Sequence, residues 1–134
     1  MIFVLVVSGC LQVTSPEERA RENADMARID LMTESILQSF NSGSYIDFKR
    51  DLSGSVKIQM SEEQFSNLRL LISQSSGSYM SKSFINVTHF QGYSQYAYNC
   101  VFEKENITAR FSVDPKKVLI NGLYFDSENI RASS

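Results

Sequence analysis

The chain has 134 residues, a formal net charge of −2, 43% hydrophobic and 21% charged side chains, and nine Phe and six Tyr but no Trp. That length indicates one domain, and the ordinary apolar fraction excludes an intrinsically disordered chain. The near-neutral charge excludes a strong field for nucleic acid or anionic lipid, since Lys49-Arg50 and Lys116-Lys117 are only pairs.

Taken in order, the chain opens with the apolar run 2–7, followed at once by Ser8-Gly9-Cys10. The run is too short to cross a bilayer as a helix. Residues 11–25 read as a polar tether and helix start. Ser15 is a helix cap, Pro16 fits the first helical position, and Glu18 completes a capping box. Met26, Ile29, Met32, Ile36, Leu37 and Phe40 then recur at helical spacing, and this face is expected to pack on a sheet. Gly43 supplies the left-handed stop. Tyr45, Phe48 and Leu52 mark a short second helix over 45–52. Val56, Ile58 and Met60 alternate with Lys57 and Gln59, which predicts a brief extended segment. Ser61, with Gln64 as its capping-box partner, opens a third long helix to about residue 74, with Phe65, Leu68, Leu71 and Ile72 as its buried stripe.

After Gly77 the period changes from 3.6 to 2. Tyr96, Tyr98, Cys100 and Phe102 fall on one face, and in the next strand Ile107, Ala109, Phe111 and Val113 do the same. Such alternation predicts half-buried strands with one dry face. Turns at Gln91-Gly92, Lys104-Glu105-Asn106 and Asp114-Pro115-Lys116 divide residues 84–126 into a four-stranded antiparallel meander. The last strand is apolar on both faces, as for a central or helix-covered strand, and its Gly122 suggests a bulge or close backbone approach. The fold class is therefore α+β. One domain spans 26–126, and a polar tail, expected to fray, covers 127–134.

Val7-Ser8-Gly9-Cys10 resembles the lipobox of secreted lipoproteins, in which small residues admit a signal peptidase and the cysteine carries the lipid. The resemblance implies a signal segment at 1–10, lipidation of Cys10, and an extracytoplasmic, membrane-anchored protein. No Lys or Arg precedes the run. Its other reading is a short core strand, which would place the domain in the cytoplasm.

A second resemblance covers residues 29–125. It rests on Phe48-Lys49-Arg50-Asp51-Leu52, on Lys57 through Phe65, on Gly77-Ser78-Tyr79, on Gly92-Tyr93 and Tyr98, and on Val101-Phe102-Glu103-Lys104 with Gly122-Leu123-Tyr124-Phe125. In order and spacing the chain resembles a small uncharacterised domain family of bacterial and archaeal exported proteins. That family has the cystatin-like roll, the superfold of nuclear transport factor two. The resemblance implies helices packed on a curved sheet and a homodimer formed through that sheet. In the family the domain sometimes precedes a hydrolase domain, and this chain carries no such part. Fold likeness alone assigns no function.

The candidate chemistry is sparse. Enzymes on this roll build a pocket over the concave sheet, and a pocket here would draw on Tyr96 and Tyr98 with Asp47 or Asp51. The one histidine, His89, has no His or Cys at ligand spacing, so no metal site and no cofactor are proposed. No phosphate loop or nucleophile elbow is present. Cys100 lies on the apolar face, where a thiol behaves as a small hydrophobe. Asn86 and Asn106 open chance-frequency glycosylation triplets and are not counted as sites. The expected function is a non-enzymatic binding or assembly module for a protein or small ligand. The alternative is an isomerase- or hydrolase-like enzyme using the Tyr/Asp pocket.

Overall fold

A computed structural model describes residues 15–133, so Cys10 and its lipobox-like segment lie outside the described residues. By their contacts the residues fall into one unit up to Leu31 and a second from Met32 onward. Helix α1 spans Pro16–Ser42. In the first unit its start follows the capping chemistry. The Glu18 N–H donates to Ser15 Oγ at 3.1 Å, and the Ser15 hydroxyl donates to the Glu18 carboxylate at 3.3 Å. Residues 16–24 are exposed, and Ile29 is buried.

The second unit carries the rest of α1, then α2 (Tyr45–Lys49), α3 (Gly54–Gln59) and α4 (Glu62–Ser76). Strands β1 (Tyr79–Phe90), β2 (Tyr93–Phe102), β3 (Asn106–Asp114) and β4 (Leu119–Asp126) follow, and α5 (Glu128–Ser133) ends the chain. The strands form one sheet in the order β1-β2-β3-β4, each neighbour antiparallel. This is the α+β arrangement of helices followed by an antiparallel meander that the change of period predicts. Hairpin β1–β2 closes through Gln91 and Gly92, both at positive φ (51° and 82°), as a type I′ turn requires.

The inner face of the sheet is dry. One rung runs Phe84, Tyr98, Ala109, Phe125 across all four strands, and Met32, Ile36, Leu37 and Phe40 of α1 are buried as the helical stripe requires. A chain of aromatic rings fills the interior. Phe65 meets Phe48 at 4.6 Å, and Phe48 meets Phe40 at 6.0 Å. Phe40 stands edge-on to Phe125 at 5.5 Å, and Phe125 to Phe111 at 6.0 Å. Phe111 and Tyr98, then Tyr98 and Phe84, continue it at 6.0 and 5.8 Å. Each of the buried rings, Phe40, Phe48, Phe65, Tyr98 and Phe111, contributes about 1.5–3 kcal/mol by leaving water. Edge-to-face pairs add roughly 0.5–1.5 kcal/mol. The outer face is mixed by contrast, with Asn86 and Arg110 on one rung with Ala97 and Tyr124.

Five local expectations are corrected. Residues 56–60 are not extended. Helix α3 covers Gly54–Gln59, and the Met60 N–H closes on the Val56 carbonyl at 2.8 Å. Val56 and Met60 also satisfy an i, i+4 pattern, and Ile58, which suggested alternation, is 84% exposed. Helix α2 stops at Lys49 because the next residues leave to bond β4. Leu52 forms a parallel bridge with Ile120, flanked by Ser53 N–H to the Ile120 carbonyl (2.8 Å) and Ile120 N–H to the Asp51 carbonyl (2.9 Å). This bridge covers the outer edge of β4, which is the terminal strand and not a central one. Strand β1 starts at Tyr79 rather than Phe84. The side-chain amide of Asn41 receives the Tyr79 N–H and donates to the Tyr79 carbonyl, both at 2.9 Å, and so stands in for a neighbouring strand. Finally, the expected fraying tail contains α5. Ser127 caps it by accepting from the Ile130 N–H at 3.0 Å, and Glu105 accepts from the Ser127 hydroxyl at 2.5 Å and the Asn129 N–H at 3.2 Å.

Gly122 meets both of its expectations. The register shifts opposite it, between Ser112 and Val113, and a Cβ there would lie 3.2 Å from the Ser112 Cβ.

Candidate functional site

The inner face of β1 and β2 holds a charged pair with α1. Lys82 lies opposite Cys100 in the register, and Phe84 opposite Tyr98, so their side chains share that face. The Lys82 ammonium sits 3.4 Å from the Glu34 carboxylate of α1 and 5.0 Å from the centroid of the Tyr98 ring. Its side chain is only 7% exposed. A cation at that distance from an aromatic face is attracted by the ring's negative quadrupole.

Glu34 is the hub. Its Oε1 accepts the Tyr79 hydroxyl at 2.7 Å, and its Oε2 accepts the Gln38 amide one turn along α1 at 3.0 Å. Burial works to raise the Glu34 carboxyl. The hydrogen bonds from Gln38 and Tyr79, with the Lys82 charge, outweigh it and hold the group below the ordinary carboxylate range. Cys100 lies beneath this cluster, fully buried and free of any disulfide. Burial pushes its thiol up to about 12, so the neutral form dominates and the sulfur is not a nucleophile at neutral pH.

The sequence-predicted residues divide. Tyr96 and Tyr98 share the inner face of β2 with Cys100, and Tyr98 is 1% exposed between the rings of Phe84 and Phe111. Asp47 is exposed on α2, where its N–H donates to the Ser44 hydroxyl at 3.2 Å. Asp51 pairs with the neighbouring Arg50 at 3.1 Å, and its carbonyl lies along β4. From that segment to β2 there are three strand spacings, about 14 Å of sheet. The structure therefore brings the two tyrosines together, leaves Asp51 beyond β4, and sets Asp47 beside α1, where its carbonyl accepts the Ser35 hydroxyl at 3.3 Å. Glu34, Tyr79 and Lys82 are what the sequence reading missed. Lys82 sits in Ser81-Lys82-Ser83, a run with turn-like composition, and its signal is its period-2 step to Phe84.

His89, exposed near the hairpin tip, is engaged by the Ser94 hydroxyl at 2.9 Å. Among the described residues no group of three or more His, Cys, Asp or Glu is placed to hold a metal ion. Nor, among them, is any helix long and apolar enough to cross a membrane. Two surface concavities lie elsewhere. One of about 360 Å³ borders Arg69, whose guanidinium already donates to the Phe40 and Asn41 carbonyls at 2.8 and 3.3 Å. The other, about 430 Å³, lies between α4 and β4 and is lined by Leu68, Leu71, Leu123 and Phe125.

The family model described as "Protein of unknown function (DUF3887)" matches residues 33–123. No curated protein and no solved structure matches the chain.

Proposed function

The chain belongs to the DUF3887 family of unknown function, and from that premise we propose that it is a non-enzymatic binding or assembly module built on a cystatin-like roll. One observation carries this reading, the filled interior. Acid–base catalysis needs a titrating group within reach of substrate, and covalent catalysis needs an activated nucleophile. Here Tyr98 is enclosed by aromatic rings, and Cys100 is a neutral buried thiol. Glu34 and Lys82 are spent on each other and on Tyr79. The Lys82–Glu34 pair ties β1 to α1, which is a structural task. Asp51 lies three strand spacings from β2 and Asp47 is exposed on α2, which supports a module over an enzyme using a Tyr/Asp pocket. The module acts at an extracytoplasmic membrane surface, held there by lipid on Cys10. The sequence Val7-Ser8-Gly9-Cys10 supports this placement.

Two measurements test the proposal. The full chain is screened for hydrolase and isomerase turnover beside Glu34→Gln and Asp51→Asn. No turnover is expected, and turnover abolished by either change would sink the reading. Mass spectrometry of the protein from its native cell tests the anchor. Loss of residues 1–9 with added lipid mass is expected, and an intact, unmodified N-terminus overturns it. A single acyl chain anchors only marginally, so more than one is expected.

A further inference from the structure

We infer that β1 is a self-pairing edge: it joins β1 of a second copy antiparallel, across a two-fold axis between Ile85 and Asn86, to make one continuous eight-stranded sheet. This inference rests on the reading of the domain as an assembly module and names its partner.

Strand β1 is the terminal strand of the sheet, so alternate residues along it turn N–H and C=O away from β2. It is long, Tyr79–Phe90, contains no Pro, and carries Phe84 at 46% and Ile85 at 48% exposure near its middle. Among the described residues β1 ends the sheet, and its outer backbone is taken up at Tyr79, by the Asn41 amide.

The case for a second copy as the occupant comes from the symmetry of residues 81–90. Reading inward from both ends, Ser81 meets Phe90, Lys82 meets His89, Ser83 meets Thr88, Phe84 meets Val87, and Ile85 meets Asn86. Opposed residues in an antiparallel pair point to the same face. In an unbroken strand Phe84 and Val87 would point to opposite faces, because the period is 2. The register shift between Phe84 and Asn86 changes this. Phe84 lies opposite Tyr98 and Val87 opposite Tyr96, so both are on the inner face, as are Lys82 and His89. Thus the bulge gives the strand the facial symmetry that pairing with itself demands, with an apolar centre on the inner face and hydroxyls outside.

Charge agrees. Lys82 is the one Lys, Arg, Asp or Glu in β1, and its ammonium is turned inward onto Glu34 of its own chain. Two such strands therefore meet without the like-charge opposition that protects many edges.

The test uses the full chain with Cys10→Ser, so that the remaining native thiol is the buried Cys100. In a Ser83→Cys/Thr88→Cys variant, the two positions are roughly 15 Å apart within one strand, beyond the reach of a disulfide, but face each other across the two-fold axis. Mild oxidation is expected to give a covalent dimer about tenfold faster than in either single variant, whose cysteines lie equally far from their own copies. Sedimentation of the unmutated full chain is expected to show a concentration-dependent dimer, lost in Phe84→Lys. A chain that stays monomeric at all concentrations overturns the pairing and leaves the module reading standing. So does cross-linking no faster in the double variant than in the singles. Catalytic turnover overturns the module reading whatever the oligomeric state.

Discussion

The two edges of the sheet are finished differently. At β4, residues 51–53 lie alongside Ile120 and take its N–H and carbonyl, so the backbone is satisfied by the chain itself. At β1, among the described residues, only the first, Tyr79, is treated this way, and by one side chain, Asn41. Beyond it the strand continues to Phe90 with most of its side chains exposed. An unpaired strand edge is a template for association, and proteins commonly cover it, charge it or shorten it. This molecule covers one edge and keeps the other long and nearly chargeless. The difference separates a side that serves folding from a side available for contact.

The largest effect is expected where the covered edge is broken. Leu52 is fully buried, and Leu52→Ala should cost about 3 kcal/mol through lost burial and the cavity left behind. Urea unfolding followed by circular dichroism measures it, and a loss below about 1 kcal/mol would mean that the bridge to β4 is not held by its side chain. Next is Asn41→Ala, which leaves the Tyr79 N–H and carbonyl without the amide that matches them. A loss of about 2 kcal/mol is expected for two hydrogen bonds to a part-buried strand start. Amide exchange at Tyr79 should quicken while Ile120 keeps its protection. Equal change at both would show that the edges are not independent.

Third is Glu34, which ties the open edge to α1. Its folded pKa lies below its unfolded value, so its contribution is present above the unfolded pKa and lost as pH falls through the folded one. The stability gap between the unmutated chain and Glu34→Gln should therefore be full near neutrality and narrow in the acid range as the carboxylate protonates. A gap that does not change with pH would detach the Lys82 pair from the stability of β1. The effect is moderated by solvent, since the Glu34 side chain is 38% exposed. Smallest is Val118→Gly, in the turn before β4. Val118 has φ 52°, a left-handed conformation unfavourable for a β-branched residue, yet it is buried. Relief of about 1–2 kcal/mol of strain and loss of a similar amount of burial should nearly cancel. A Tm shift of more than a few degrees in either direction would show that one of them dominates.

Legibility followed burial. Strands β2 and β3 alternate cleanly because one face is dry along their whole length, and Tyr98, Cys100, Ile107 and Phe111 announce it. The start of β1 was hidden because residues 80–86 are exposed apart from Lys82, so no dry face imposes a period. That also concealed Lys82, and with it Glu34, whose partner lies 48 positions away in the chain. Asp47 and Asp51 are candidates in the sequence because the predicted second helix carries them both. Nothing local in the sequence tells that Leu52 leaves its helix to bridge β4. The capping residues Ser15, Ser44 and Ser61 are the opposite case, because a cap is satisfied three residues away.

The burial of Cys100 has a practical consequence. With its thiol pushed up to about 12 by burial, the neutral form dominates at pH 8. Reagents for free thiols will pass the folded sheet by and react only when the cover of the inner face, where Lys82 of β1 meets Glu34 of α1, opens. In a Cys10→Ser chain, the rate at which Cys100 is labelled is thus a clock for opening of that cover. If the edge is occupied by another molecule, the clock slows, whatever that molecule is.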